Sequence, residues 1–352
     1  AKDAMAKVPG AAPTDAESRG ISTQAGRSNG VTTCGQSIAG ANSVVDSSKS
    51  FDRMLRNVSL FAHPKYTPHR LDPFIKSIVR YNLLPFDIRT DIVKFTSDSV
   101  LVPIALQMKN REIGFVLKDG MQHGMVNIFG RITSINGKIA QSFEDNIQID
   151  LPVDRFEQSL DLSSIYGKAF PLKPGLYKLD VVVKDAHGDH VGYYSHNLNV
   201  PRLDEEQGLS TSSLFLADIV EPVPVTNTGS GPFVIGLTKV RPKVQSADGA
   251  MVKFNRTQKA YYWMQIYNME RDKTSGKANA EVDCEVVELA TQKQVMVTVD
   301  KIDPQNSSNN QFTLSHKLPV REFTPGTYQL NIKITDQNSN ATITRSEKFI
   351  VE

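Results

Sequence analysis

Pro174-Gly175-Leu176-Tyr177-Lys178-Leu179-Asp180-Val181-Val182-Val183-Lys184-Asp185 recurs 151 residues later as Pro325-Gly326-Thr327-Tyr328-Gln329-Leu330-Asn331-Ile332-Lys333-Ile334-Thr335-Asp336. In both copies apolar side chains alternate with polar ones. That period of two marks an antiparallel strand with one face on a core and the other toward solvent. The match runs on without a gap through Leu198/Phe349 and Val200/Val351, so a pair of strands is repeated. A repeat this long, at one-domain spacing, reads as two copies of one domain type rather than a solenoid.

Pro-Gly supplies the turn into each strand, and the tyrosine two residues on resembles the tyrosine corner of immunoglobulin-like sandwiches, where the hydroxyl bonds to nearby backbone. Asp185 and Asp336 end the strands where a carboxylate can bond turn amides. Upstream, Val100, Val102, Ile104, Leu106 and Met108 alternate, with Pro103 on the opposite face, which predicts an edge strand. Asn136-Gly137 between 126–134 and 138–143 is a hairpin signal. Strands are also expected over 233–240, 260–267, 280–289 and 294–299. Leu106-Gln107-Met108-Lys109-Asn110 is echoed by Met264-Gln265-Ile266-Tyr267-Asn268. The fold class is therefore all-β: two tandem immunoglobulin-like β-sandwich domains, 76–201 and 212–352, separated by a hydrophilic linker over 202–211.

An arm over 1–75 precedes them. Residues 1–50 hold no Phe, Tyr or Trp, and twenty-nine of them are Ala, Gly, Ser, Thr or Asn, too few apolar groups to bury a core. A short helix is predicted near 50–61, with Ser50 as N-cap and Asp52 in the first turn. Phe51, Met54, Leu55 and Val58 form its apolar stripe and are the candidate partner-binding residues. Pro64 and Pro68 then predict an extended run into the first domain. The chain begins at Ala1 without a charged-then-apolar leader, which is expected of a processed chain or a fragment.

Forty basic against 38 acidic side chains leave a net charge of +2, too little for a dedicated nucleic-acid binder. No apolar run is long enough for a transmembrane segment. Cys34 and Cys284 cannot form a disulfide framework or a four-ligand zinc site. His187, His190 and His196 lie near Asp185 and Asp189, but turn chemistry accounts for the segment and the second copy has Gln337, Asn338, Ser339 and Asn340 there. No metal or cofactor is expected. Nucleophile-elbow, zincin, Walker and dinucleotide fingerprints are absent, so no catalytic residue is assigned and no enzyme is expected. Tyr261, Tyr262 and Trp263 are the alternative ligand-binding candidates, since aromatic faces stack on sugars; a strand covered on both sides accounts for the same pattern.

Tyr81-Asn82-Leu83-Leu84-Pro85-Phe86-Asp87-Ile88-Arg89-Thr90-Asp91, Val126-Asn127-Ile128-Phe129-Gly130-Arg131, Ser163-Ser164-Ile165-Tyr166 and Ser212-Ser213-Leu214-Phe215-Leu216-Ala217-Asp218 resemble the C-terminal region of bacterial GWxTD domain-containing proteins. Phe233-Val234-Ile235-Gly236 and Lys239-Val240-Arg241-Pro242 extend the resemblance, and the Gly-Trp-x-Thr-Asp motif itself is absent. The resemblance implies an exported bacterial protein (periplasmic, outer-surface or secreted) and no established activity. The expected function is that of a non-enzymatic structural or interaction subunit with protein partners, as a homo-oligomer or part of a larger assembly. A carbohydrate- or ligand-binding module is the alternative, and a part of an exported enzyme whose chemistry resided elsewhere is a third reading.

Overall fold

The computed structural model describes residues 83–188, 190–229, 231–245, 251–302 and 311–352, together with Leu71, Pro73 and Ile75. The chain builds strands β1 (Asp87–Thr90), β2 (Val93–Lys94), β3 (Val100–Lys109), β4 (Phe115–Lys118), β5 (Met121–Ser134), β6 (Ile139–Pro152), β7 (Ser163–Leu172), β8 (Gly175–Asp185) and β9 (Val191–Val200). β3 pairs with β1, β2 and β7 in one sheet; β5 pairs with β6, β4 and β8 in the other, where β8 carries β9. The alternation seen in the sequence selects the inward faces. Val102, Ile104 and Leu106 of β3 meet Val126 and Ile128 of β5 and Leu179, Val181 and Val183 of β8.

A second sandwich follows with the same order of main strands. Its strands are β10 (Ser210–Thr211), β11 (Phe215–Pro222), β12 (Val234–Ile235), β13 (Thr238–Pro242), β14 (Val252–Phe254), β15 (Tyr261–Tyr267), β16 (Ala280–Glu288), β17 (Lys293–Ile302), β18 (Gln311–Lys317), β19 (Gly326–Asp336) and β20 (Thr342–Val351). β15 pairs with β10, β11 and β18, facing a sheet in which β16 lies between β17 and β19 and β20 flanks β19. The all-β sandwich architecture is thus present.

The repeat is structural to the residue. β8 and β9 begin and end 151 positions before β19 and β20. Both tyrosine corners form: Tyr177 donates to the Lys173 carbonyl at 2.9 Å and Tyr328 to the Thr324 carbonyl at 2.7 Å. The two aspartates are buried and bond matching backbone amides. Asp185 accepts from Gly114 (2.8 Å) and His187 (3.0 Å), and Asp336 from Glu270 (2.8 Å) and Asn338 (3.0 Å).

Three local expectations need correction. β3 is an interior strand: Pro103 lies where β1 has ended and β2 has not begun, and its carbonyl accepts from Asp91 on that side. The missing N–H therefore faces a gap in the neighbouring strand rather than solvent at a sheet edge. The stretch 233–240 is a hairpin of β12 and β13, because Gly236 takes φ 58° and turns the chain. Within the linker 202–211, Leu203 is buried in the first core and Ser210–Thr211 pair with β15. The extended run expected after Pro64 and Pro68 does not continue to the first domain, for Pro73 and Ile75 are helical.

Candidate functional site: the joint and cleft between the sandwiches

Strand β15 is covered on both faces. Tyr262, Met264 and Ile266 enter the core of the second sandwich. Trp263 turns the other way, into a cluster with Phe215, Ala217, Ile235 and Val240 of its own sandwich and Val93 of the first, against which Leu101 also packs. Trp263 and Phe215 meet edge to face at 5.2 Å between centroids. Tyr267, on the same face as Trp263, reaches the core of the first sandwich. The sugar-platform expectation for Tyr261, Tyr262 and Trp263 is corrected accordingly. Tyr262 and Trp263 are 1% and 0% exposed and Tyr261 is half-buried, so this strand offers no open aromatic face.

Polar ties surround this apolar joint. Arg89 grips Asp91 through Nε (2.7 Å) and Nη2 (2.9 Å), and Nη2 also donates to the Leu214 carbonyl of the second sandwich at 2.8 Å. Ile92 and Ser213 exchange bonds, Ile92 N–H to Ser213 Oγ and Ser213 N–H to the Ile92 carbonyl, both 2.9 Å. The Lys94 N–H donates to Tyr267 Oη at 3.0 Å, and Lys94 Nζ to Asn268 Oδ1 at 2.8 Å. Phe233, held at φ 64°, lies so close over Gly167 of β7 that an added Cβ there would stand 2.4 Å from its ring. The centre is apolar apart from the Trp263 indole N–H, which is buried without a hydrogen-bond partner, and the polar groups named here ring it, the anatomy of an interface.

At one side the joint opens into a cleft of about 480 Å³, lined by Arg89 and Asp91, by Tyr194 and His196 of β9, by Ser213 and Leu214, and by Arg345 and Glu347 of β20. Tyr194 and His196 are the repeat equivalents of Arg345 and Glu347, 151 positions apart. Their alternation continues the inward-facing register of Leu198, Val200, Phe349 and Val351. At these four positions the inward register runs past the edge of the cores, Tyr194 and Glu347 half-buried and His196 and Arg345 exposed, and polar or ionisable side chains replace apolar ones. Sequence reasoning aligned the repeat and could have found this break in its apolar pattern; only the stacking of the sandwiches brings the two pairs to one cleft. Burial pushes the Glu347 carboxyl above the usual range; Arg89 opposes the shift and Asp91 adds to it. Arg345 donates from Nε to Thr211 Oγ1 at 2.9 Å, and Tyr194 stacks with His196 at 6.0 Å.

The candidate partner-binding residues Phe51, Met54, Leu55 and Val58 lie outside the described residues. Where the arm meets the described structure, Leu71 and Ile75 are buried against Phe129, Val182 and Val191 on the outer face of β5, β8 and β9. No group of three or more His, Cys, Asp and Glu side chains able to hold a metal occurs among the described residues. Cys284 is a core residue of β16, and burial pushes its thiol up to about 11, which leaves it protonated at neutral pH. No helix among the described residues is long and apolar enough to cross a membrane.

No family model matches the sequence, and no curated protein matches it. Among solved structures the chain is similar to Bacteroides uniformis β-glucuronidase 2 (10% identity, TM-score 0.25), with 72% of this chain aligned to 26% of that one. It is also similar to Escherichia coli α-2-macroglobulin (9%, TM-score 0.21; 78% of this chain, 14% of that one). A third is the C-terminal domain of the Streptococcus pyogenes antigen I/II-family protein AspA (9%, TM-score 0.20; 76% and 100%). The chain spans about a quarter of the glucuronidase's length. Scores at this level attach the chain to none of them, and the fold rests on its own strand pairing.

Proposed function

We propose that this chain is a non-enzymatic structural or interaction subunit of an exported assembly, in which two sandwiches joined as one body present their remaining sheet faces to other chains. The observation that carries the reading is the seating of Leu71 and Ile75 on Phe129, Val182 and Val191. Leu71 and Ile75, next to the sandwiches, cover an apolar patch on the outside of a sheet, and an apolar surface of that kind is where a further chain segment docks. The resemblance to exported GWxTD domain-containing proteins supports the same reading. Deleting residues 1–60 is expected to leave the sandwiches folded and to abolish self- or partner assembly. Size-exclusion chromatography with light scattering checks this, and an unchanged oligomer overturns it. A ligand-binding role moves from the aromatic strand, which is covered, to the cleft.

A further inference from the structure

The cleft is lined by two opposite charges, Glu347 and Arg345, neither of which forms a salt bridge among the described residues; Glu347 feels the Arg89 charge without bonding to it. Arg89 and Asp91 satisfy each other, whereas the Glu347 carboxylate accepts no hydrogen bond from a described residue although it is half-buried beside them. Arg345, two residues earlier on the same face of β20, is exposed and lines the cleft; it donates from Nε to Thr211 Oγ1 at 2.9 Å and from Nη1 to the Thr344 carbonyl at 3.4 Å, which leaves Nη2 without a partner among the described residues. A half-buried carboxylate without a hydrogen bond disfavours folding, since burial penalises charge. The second repeat nevertheless has Glu347 there, with the exposed Arg345 beside it, in a space that falls within the usual range of small-molecule pockets and lies where such pockets concentrate, between two domains.

We propose that the cleft binds a free α-amino acid with an apolar side chain, its ammonium group on Glu347 and its carboxylate on Arg345. The two side chains leave the strand about 6.6 Å apart. A molecule that has both charged groups on one carbon bridges that gap with one charge-assisted bond to each. A lone cation would leave Arg345 without an anion, and a lone anion would leave Glu347 as it is. Ile88, Leu214 and the Tyr194 ring supply the apolar wall for the side chain. The inference is independent of the assembly reading, because it concerns only the described residues.

Isothermal titration of the full chain with L-leucine and L-phenylalanine tests it, alongside isoamylamine and 4-methylpentanoate, the leucine skeletons that keep one charge each. Saturable binding of an amino acid is expected, weakened roughly 10- to 100-fold by Glu347→Gln, by Arg345→Gln and by loss of either ligand charge. Both variants must retain the native emission of Trp263, which separates loss of the site from loss of the fold. Absence of saturable binding by either amino acid up to ~10 mM, an affinity weaker than about −3 kcal/mol, overturns the proposal. So does binding that both substitutions leave unchanged.

Discussion

Replacing Asp91 by alanine tests the joint at its most sensitive point. The side chains of Arg89 and Asp91 are only 12% and 4% exposed, and the pair is bidentate. Taking away the carboxylate leaves a guanidinium enclosed with one remaining hydrogen bond, to the Leu214 carbonyl. Breaking a buried pair from one side costs about 3–5 kcal/mol, because an uncompensated charge stays behind. Glu347 is close enough to offset part of that, which places the expected loss near 3 kcal/mol. In urea, with a slope of ~3 kcal/mol/M, the midpoint falls by about 1 M. The double replacement Arg89→Met with Asp91→Leu removes both charges and is expected to lose less than the single change. A single substitution that shifts the midpoint by under ~0.3 M, or a double one that is worse, would refute the reasoning.

Two further outcomes follow from the same geometry. Because burial raises the folded-state pKa of Glu347, its ionisation opposes folding: the stability tied to its protonation is full below about 4.5 and is lost as pH rises through the elevated value. Glu347→Gln is therefore expected to gain over the parent at pH 7–8 and to lose that advantage toward pH 4, read by urea midpoints at each pH. Tyr177→Phe and Tyr328→Phe each remove one bond to a carbonyl four residues back, at about 1 kcal/mol. The cost is expected to be larger at Tyr328, which is 1% exposed, than at the half-buried Tyr177.

Most of the fold was legible because it depends on local alternation and on a repeat. Strands β8 and β19, their tyrosine corners and the Asn136-Gly137 hairpin all follow from residues adjacent in the chain. Pro103 misled for a physical reason: proline marks a missing donor, and a gap between two short partner strands hides that donor as well as a sheet edge does. The split of 233–240 hinged on Gly236, whose φ 58° gives no signal beyond the presence of a glycine. Trp263 and Tyr267 were readable as a second covered face, but not what covers it, since Val93 and Leu101 are some 160–170 positions away. The cleft was least legible. Tyr194, His196, Arg345 and Glu347 were present as equivalents in the repeat, while their convergence depends on which sheet faces stack.

Trp263 is the only tryptophan in the chain and sits at the centre of the joint, so its fluorescence reports directly on whether the two sandwiches form one body. Native emission should be that of an indole shielded from water and resistant to iodide. Under urea it should change together with the far-UV circular dichroism, in a single coincident transition. An indole quenched by iodide in the native protein, or an emission change completed before the strand signal is lost, would show the sandwiches to be separate units and contradict the account.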